Sequence, residues 1–413
     1  MGERRRVVVI GAGFGGLAAC EALGSVDVDV VLVDRHNYNT FQPLLYQVAT
    51  AGLDPGDIAY PVRSFGRRHA NFGFRQDEVI DVDLGGRRVG FAEGPSITYD
   101  YLVLAAGAAT NYFGVPGAAA HAKAIYTMED AVAVRGVVTS SLERAAAHGA
   151  KEGELTVLIA GGGATGVEMA GTLAELRRMQ FATQYRELDP ASSRIVLVEL
   201  QDRLLGGFHP KLGAYARRAL EARGVEVRCT ESVKEVQADR VVLGSGDVVP
   251  CGLVIWAAGV GSCALTEALD LAKVRGRIEV GADLRVTGRD EVFAIGDMAG
   301  LGSGEGDRLL PQLAPPAIQE GRLVGRQIGR LIAGEPTVTF SYKDKGIMAT
   351  IGRKAAVAEL AHGIRLRGTL AWLCWLGLHI VLLLGARNRA SVLLNWAWRY
   401  VSWRRGSRVI AGG

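Results

Sequence analysis

The chain has 413 residues, 49% of them hydrophobic, with 55 glycines and a formal net charge of +4. That length carries two or three domains with sizeable cores, and the composition is that of a glycine-rich α/β protein without low-complexity tracts. Its five cysteines (Cys20, Cys229, Cys251, Cys263, Cys374) form no C-x-x-C pair and its seven histidines show no ligand spacing, which argues against structural disulfides and against a metal centre.

From the amino terminus, Arg4-Arg5-Arg6 precedes Val7-Val8-Val9-Ile10, an apolar run that predicts a buried parallel strand. Gly11, Gly13 and Gly16 follow at the G-x-G-x-x-G spacing. The first allows a tight turn, the second a close approach of backbone to a pyrophosphate, the third close packing of the next helix on the strand. A second apolar run from Val28 to Val33 ends at Asp34, an acid placed to hydrogen-bond a ribose 2′-hydroxyl. The same basic start, apolar run and Cys20 also fit a lipoprotein signal. The glycine register and the arrival of Asp34 favour strand, turn and helix, with Cys20 a small buried residue of that helix.

Arg35 to Ala49 reads as a polar loop turning into an apolar core helix. No cysteine lies between Cys20 and Cys229, so a flavin-adjacent C-x-x-x-x-C dithiol is excluded. Tyr101 to Leu104 is another buried strand, ending in Ala105-Ala106-Gly107, small residues past which a cofactor can lie close to backbone. Leu253 to Trp256, ending in Ala257-Ala258-Gly259, echoes it.

The echo belongs to a larger duplication. Leu155 to Ala160 runs into Gly161, Gly163 and Gly166, a second fingerprint. Ile195 to Val198 then ends at Glu199, with 177–193 read as a lengthened helix and loop. Two dinucleotide sites in one chain suggest two cofactors, as hydride transfer between a nicotinamide and a flavin requires. Glu199 would bind a free 2′-hydroxyl and repel a 2′-phosphate, favouring NADH over NADPH, with Arg203 nearby weighing the other way. Further on, Val292 to Ile295 leads into Gly296-Asp297, a close approach followed by an acid for a polyol hydroxyl. The stretch Pro311 to Gly321 leads into a helix whose exposed face carries Arg322, Arg326 and Arg330.

Residues 360–413 hold eight arginines, no lysine and no acid, a charge of +8, so the rest of the chain carries 4 − 8 = −4. Five of the six tryptophans (Trp372, Trp375, Trp396, Trp398, Trp403) lie there too. Residues 369–386 are apolar apart from Thr369 and His379, at the lower limit for a membrane span, and their interruptions favour a segment lying at the interface. Val392, Trp396, Tyr400 and Trp403, spaced 4, 4 and 3, predict an apolar stripe facing lipid, with Asn388, Ser391, Asn395, Arg399 and Ser402 on the opposite, polar face. An aromatic stripe also suits a homodimer interface. Basic residues here accompany no nucleic-acid recognition motif.

Taken together, the two fingerprints, Phe41-Gln42-Pro43-Leu44-Leu45-Tyr46-Gln47-Val48-Ala49, Phe293-Ala294-Ile295-Gly296-Asp297 and the tail from Tyr342 resemble the type II NADH dehydrogenases, single-subunit, non-pumping NADH:quinone oxidoreductases. The resemblance covers nearly the whole chain. It implies an α/β fold of two doubly wound, Rossmann-like domains plus a membrane-associated carboxy-terminal section. The expected boundaries are 1–118 and 269–340 for FAD, 119–268 for NADH and 341–413 for membrane anchoring. It further implies that Gly11, Gly13, Gly16, Asp34, Ala106, Gly107, Gly296 and Asp297 hold FAD, and that Gly161, Gly163, Gly166, Glu199 and Gly259 hold NADH. Glu168 would lie near flavin and nicotinamide, Ala317, Ile318 and Gln319 would border the quinone, and Lys345 matches a family lysine near the flavin. The family's Ala-Gln-x-x-x-Gln is here Ala314-Pro315-Pro316-Ala317-Ile318-Gln319, so Pro315 replaces the first Gln. The expected acceptor is a membrane quinone, ubiquinone or menaquinone. The expected location is peripheral, on the cytoplasmic side of the cell inner membrane. Rival readings are a sulfide:quinone oxidoreductase, which needs paired cysteines at the flavin, another flavin NAD(P)H reductase, and a non-catalytic flavin redox sensor.

Overall fold

The computed structural model describes residues 4–304, 306 and 308–402, with the side chains at 68, 182, 362 and 399–402 outside the description. The chain divides into two compact units, one of Met1–Asn39, Tyr60–Ala109 and Val260–Asp344, the other of Thr40–Ala59, Thr110–Gly259 and Lys345–Gly413.

The first unit is built on a five-stranded sheet in the order Val292–Ala294, Tyr101–Leu104, Arg5–Ile10, Val28–Asp34, Phe72–Gln76, with every pairing parallel. Its central strands are apolar on both faces because helices and loops cover both, and Val7, Val8, Val9 and Leu102 are fully buried. Helix Phe14–Leu23 leaves the first glycine turn. Helix Ala314–Ile332 packs on it at backbone distance. A Cβ at Gly321 would fall 2.2 Å from the Gly15 carbonyl oxygen, and one at Gly325 2.5 Å from Ala22 Cβ. Pro315 and Pro316 lie in its first turn, where a missing N–H costs no helical bond. Its outer face carries exposed Arg322 and Arg326 and half-buried Arg330, as its sequence predicts.

The second unit repeats the plan. Its sheet runs Lys123–Ala124, Leu253–Trp256, Thr156–Ala160, Arg194–Glu199, Glu226–Cys229, again all parallel. In both sheets the fingerprint strand is central, between the strand that ends in the acid and the strand that ends in Ala-Ala-Gly. The helix Ala164–Thr183 after the second fingerprint is long, as the wide interval before Glu199 requires. An antiparallel hairpin, Gly346–Gly352 with Ala355–Leu360, lies against it, so close at Gly171 that a Cβ there would meet the Ile351 carbonyl at 1.9 Å.

The carboxy-terminal helices correct the sequence reading. Residues 369–386 do not form one element. Helix Thr369–Leu382 buries Ala371 and Trp372 against Ala356 and Ala358 of the hairpin. None of the described helices is long and apolar enough to cross a membrane. In helix Ala386–Ser402 the faces are inverted. Val392 and Trp396, expected toward lipid, are buried in the protein. Asn388, expected toward water, donates to the carbonyls of Gly56, Asp57 and Ala59 at 2.8–3.3 Å. Ser391 and Asn395 donate to the two carboxylate oxygens of Asp57 at 2.5 and 2.8 Å. The physical reason is that Asp57 is itself buried, and beyond the Asp54 N–H that it accepts at 3.0 Å its carboxylate has room for the donors this face supplies. Tyr400, Arg399 and Ser402 keep only their backbone in the description, and Trp403 lies outside the described residues.

What the helices leave exposed is a different apolar set: Leu370, Leu373, Leu378, Val381 and Leu382 on the first, Leu393, Leu394 and Trp398 on the second. Arg389 donates to the carbonyls of Val381 and Leu383 at 2.9 and 2.7 Å, closing the carboxyl end of the preceding helix.

Candidate functional site

Each unit carries one glycine turn, and the two are built alike. Gly11 has φ +104° and Gly161 φ +107°, a conformation that a side chain would strain. A Cβ at either would also strike the facing strand's end, 2.3 Å from the Ala105 oxygen or 2.5 Å from the Ala257 oxygen. Gly16 and Gly166 pack onto their own turns, where a Cβ would fall 1.8 and 1.9 Å from the Gly11 and Gly161 oxygens. Gly13 and Gly163 differ from the rest: a Cβ there meets nothing within 4 Å. Both are helix N-caps without a side-chain cap, so each helix sets its positive dipole end beside open space. That is the setting a pyrophosphate fits.

The acids close each turn in the same way. Asp34 Oδ2 accepts the Ala12 N–H at 2.7 Å and Oδ1 the His36 N–H at 2.8 Å. Glu199 Oε2 accepts the Gly162 N–H at 2.5 Å and Oε1 the Gln201 N–H at 2.7 Å. Each carboxylate ties the turn to its strand and keeps lone pairs for further donors. Sequence reasoning missed Asn39, whose buried amide donates to the Ala12 carbonyl at 2.7 Å and holds the first turn from the other side. No motif signals it, because it acts from the short strand Tyr38–Thr40, outside the fingerprint.

In the first unit the remaining expected residues converge from distant segments. Gly107 has φ +75°, and the Ala106 N–H points at Met298 Sδ at 2.9 Å. Gly296 has φ +66°, and a Cβ there would lie 3.3 Å from Ala317 Cβ. Asp297 follows within the same turn, its carbonyl held by Gln312 at 3.2 Å. Gln319 spends its amide on backbone, donating to the Lys343 carbonyl and accepting the Lys343 N–H, both at 3.0 Å. It braces the 343 segment. Glu320, which the sequence reading passed over, is buried and accepts the Gly296 N–H.

In the second unit Glu168 lies on the helix after Gly166, buried, with the Thr350 N–H donating to it at 3.2 Å. Burial pushes its carboxyl up to about 8, against the pull of that single bond, so it is protonated at neutral pH. Gly259 has φ +152° and lies under Phe113. Lys345 is exposed at the start of the hairpin. Gly11, Gly13, Gly16, Asp34, Ala106, Gly107, Gly296, Asp297, Ala317 and Gln319 thus fall in the first unit, and Gly161, Gly163, Gly166, Glu168, Glu199, Gly259 and Lys345 in the second.

A family model described as pyridine nucleotide-disulphide oxidoreductase matches residues 5–321. The chain is 36% identical to the type II NADH:quinone oxidoreductase NdhA of Mycobacterium tuberculosis, over 99% of this chain and 90% of that protein. It is 31% identical to the internal alternative NAD(P)H-ubiquinone oxidoreductase A1 of Arabidopsis thaliana mitochondria, over 99% and 86%. Its fold matches that of NDH2 from Plasmodium falciparum, solved in complex with NADH, with a TM-score of 0.89 at 21% identity over 98% of this chain and 99% of that one.

Proposed function

The chain belongs to the pyridine nucleotide-disulphide oxidoreductase family and, within it, to the type II NADH:quinone oxidoreductases, and from that premise we propose how its residues divide the work. It is an FAD-dependent NADH dehydrogenase that passes electrons to a quinone. FAD, when bound, supplies the chemistry, accepting a hydride from NADH and returning two electrons to the acceptor.

We assign FAD to the first unit and NADH to the second. The observation that carries this is the pair of matching turns, each with an open central glycine, an uncapped helix end and a strand-end carboxylate. Gly11, Gly13, Gly16 and Asp34 take the FAD pyrophosphate and adenosine, Ala106 and Gly107 border it, and Gly296 and Asp297 take its ribityl end. Gly161, Gly163, Gly166, Glu199 and Gly259 take NADH. Glu168, neutral at pH 7, offers a hydrogen-bond donor beside the nicotinamide without adding a charge where negative charge arrives. Ala317 borders the quinone, with Gln319 holding the adjacent backbone, and Lys345 takes the role of the family lysine near the flavin. The functional division we propose along the chain keeps FAD on 1–118 and 269–340, NADH on 119–268 and anchoring on 341–413, without proton translocation, although the compact units count 40–59, 110–118 and 345–413 with the second and 260–268 with the first.

The reading extends to a peripheral position on the cytoplasmic side of the inner membrane. Its support is the exposed apolar set Leu370, Leu373, Leu378, Val381, Leu393, Leu394 and Trp398, beside exposed Arg387. Such a surface lies in the headgroup region of a bilayer. A second copy of the chain is the other candidate to cover it.

The test is anaerobic. NADH added to the detergent-purified holoenzyme should bleach the flavin absorbance, a short-chain quinone should restore it, and NADPH should act far more slowly. A protein that holds FAD but is not reduced by NADH would overturn the reading.

A further inference from the structure

Glu320 is the most buried carboxyl among the described residues, and none of the roles above uses it. It leaves helix Ala314–Ile332 one turn after Ala317. Its Oε2 accepts the N–H of Gly296 at 2.5 Å, and Gly296 in turn packs against Ala317. One carboxyl therefore joins the glycine–aspartate turn to the helix end, the two pieces assigned above to FAD and to the quinone side. The charged groups facing it are Arg277, from strand Arg277–Glu279, and Asp297, from the turn itself. Arg277 spends Nη1 on the Leu310 carbonyl at 2.8 Å, and its buried Nε has no hydrogen-bond partner among the described residues. On the neighbouring helix Phe14–Leu23 the ionisable groups are Cys20, whose thiol burial pushes up, and Glu21, which pairs with Arg322 at 3.7 Å on the outer face. Burial raises the Glu320 carboxyl to about 7, while the bond from Gly296 and the charge of Arg277 pull it down. It stands where a modest change in local charge decides its protonation.

We propose that Glu320 is a positioning residue of the flavin site that takes up one proton when the flavin is reduced and releases it on reoxidation. The proposal rests on the placement of FAD in the first unit. The hydride from NADH brings two electrons and one proton, NAD⁺ departs, and the site gains one negative charge. One solvent proton then adds to a Glu320 oxygen and restores the charge. When the electron pair leaves for the quinone, the carboxyl returns its proton to solvent, and the quinol takes one proton from the flavin and one from solvent. In a low-dielectric interior two nearby negative charges repel strongly, which gives Glu320 a higher proton affinity in the reduced enzyme than in the oxidised one.

The experiment is a spectroelectrochemical titration of the holoenzyme flavin from pH 5.5 to 9, for wild type and Glu320→Gln. Gln keeps an acceptor for the Gly296 N–H and removes the ionisation. Wild type should show an interval around pH 7 in which the midpoint potential falls more steeply, by one extra proton per electron pair. The Gln variant should lose that interval. Its potential should match wild type at the acid end and lie above it at the alkaline end, where wild type keeps a carboxylate. Superimposable profiles from two FAD-loaded proteins would overturn the proposal. Should the Gln variant not retain FAD, infrared difference spectra of wild type and of Glu168→Gln decide. Reduction should raise a protonated-carboxyl C=O band in both, and its absence from either overturns the assignment to Glu320. Failure of the FAD placement would show differently, as purified wild type without flavin absorbance.

Discussion

The indole Nε1 of Trp396 donates to the side-chain oxygen of Gln47 at 2.8 Å, across nearly the whole length of the chain. Both residues are buried, and the Gln47 amide N–H donates to the Tyr46 hydroxyl oxygen at 2.8 Å. Tyr46 meets Trp375 edge-on, and Trp375 stacks on His379 with ring centroids 3.9 Å apart. The carboxy-terminal helices are thereby part of the core of the second unit. Trp396→Phe should keep most of the packing but strand the Gln47 oxygen, costing about 1–3 kcal/mol. Trp396→Ala should cost about 3–5 kcal/mol. Urea unfolding measures both, and two neutral results would mean that the helix is only loosely attached.

The exposed side should behave oppositely. Changing Leu373, Val381, Leu394 and Trp398 together to Ser removes surface apolar area without opening the core. Folding and flavin content should stay near wild type, and co-sedimentation with anionic lipid vesicles should drop at least tenfold. Unchanged vesicle binding with a loss of self-association would assign the face to a second copy instead.

Glu199 braces the second turn, and we assign the NADH ribose to it. Glu199→Gln puts an amide where two backbone N–H groups now find a carboxylate, and it removes the repulsion of a 2′-phosphate. The NADH/NADPH ratio of kcat/KM should fall about tenfold, with the larger change in KM, in line with the loss of one charge-assisted contact. Steady-state kinetics with both nucleotides checks it, and an unchanged ratio would remove Glu199 from the site.

Glu168 should make stability depend on pH. Its folded carboxyl is raised to about 8 by burial, above its ordinary value of 4.5, so the folded state holds a proton that the unfolded state has released between those limits. Stability is therefore full below about 4.5 and declines as pH rises toward 8. Glu320, raised to about 7, adds a decline in the same direction. Glu168→Gln should flatten the profile and make the protein more stable than wild type above pH 8. Thermal unfolding of the apoprotein from pH 5 to 9 measures this, and parallel curves would show that the carboxyl is solvated.

The two nucleotide turns were legible in the sequence down to single residues. Gly11 with Gly161, Gly16 with Gly166 and Asp34 with Glu199 act through backbone sterics and hydrogen bonds within one strand–turn–helix unit. Such local geometry is determined by the residues that carry it. The tail shows the opposite case. Its helical period was readable, but Val392, Trp396, Asn388, Ser391 and Asn395 offered one apolar and one polar face, and either could have turned inward. Tertiary structure decided, because Asp57 and Gln47, more than 300 residues earlier, are buried polar groups whose oxygens accept from Ser391, Asn395 and Trp396 of this helix. Glu320 and Asn39 were hidden for the same reason. Each acts on a turn far from it in sequence, and a polar residue's partner across the fold leaves no periodic trace in the chain that bears it.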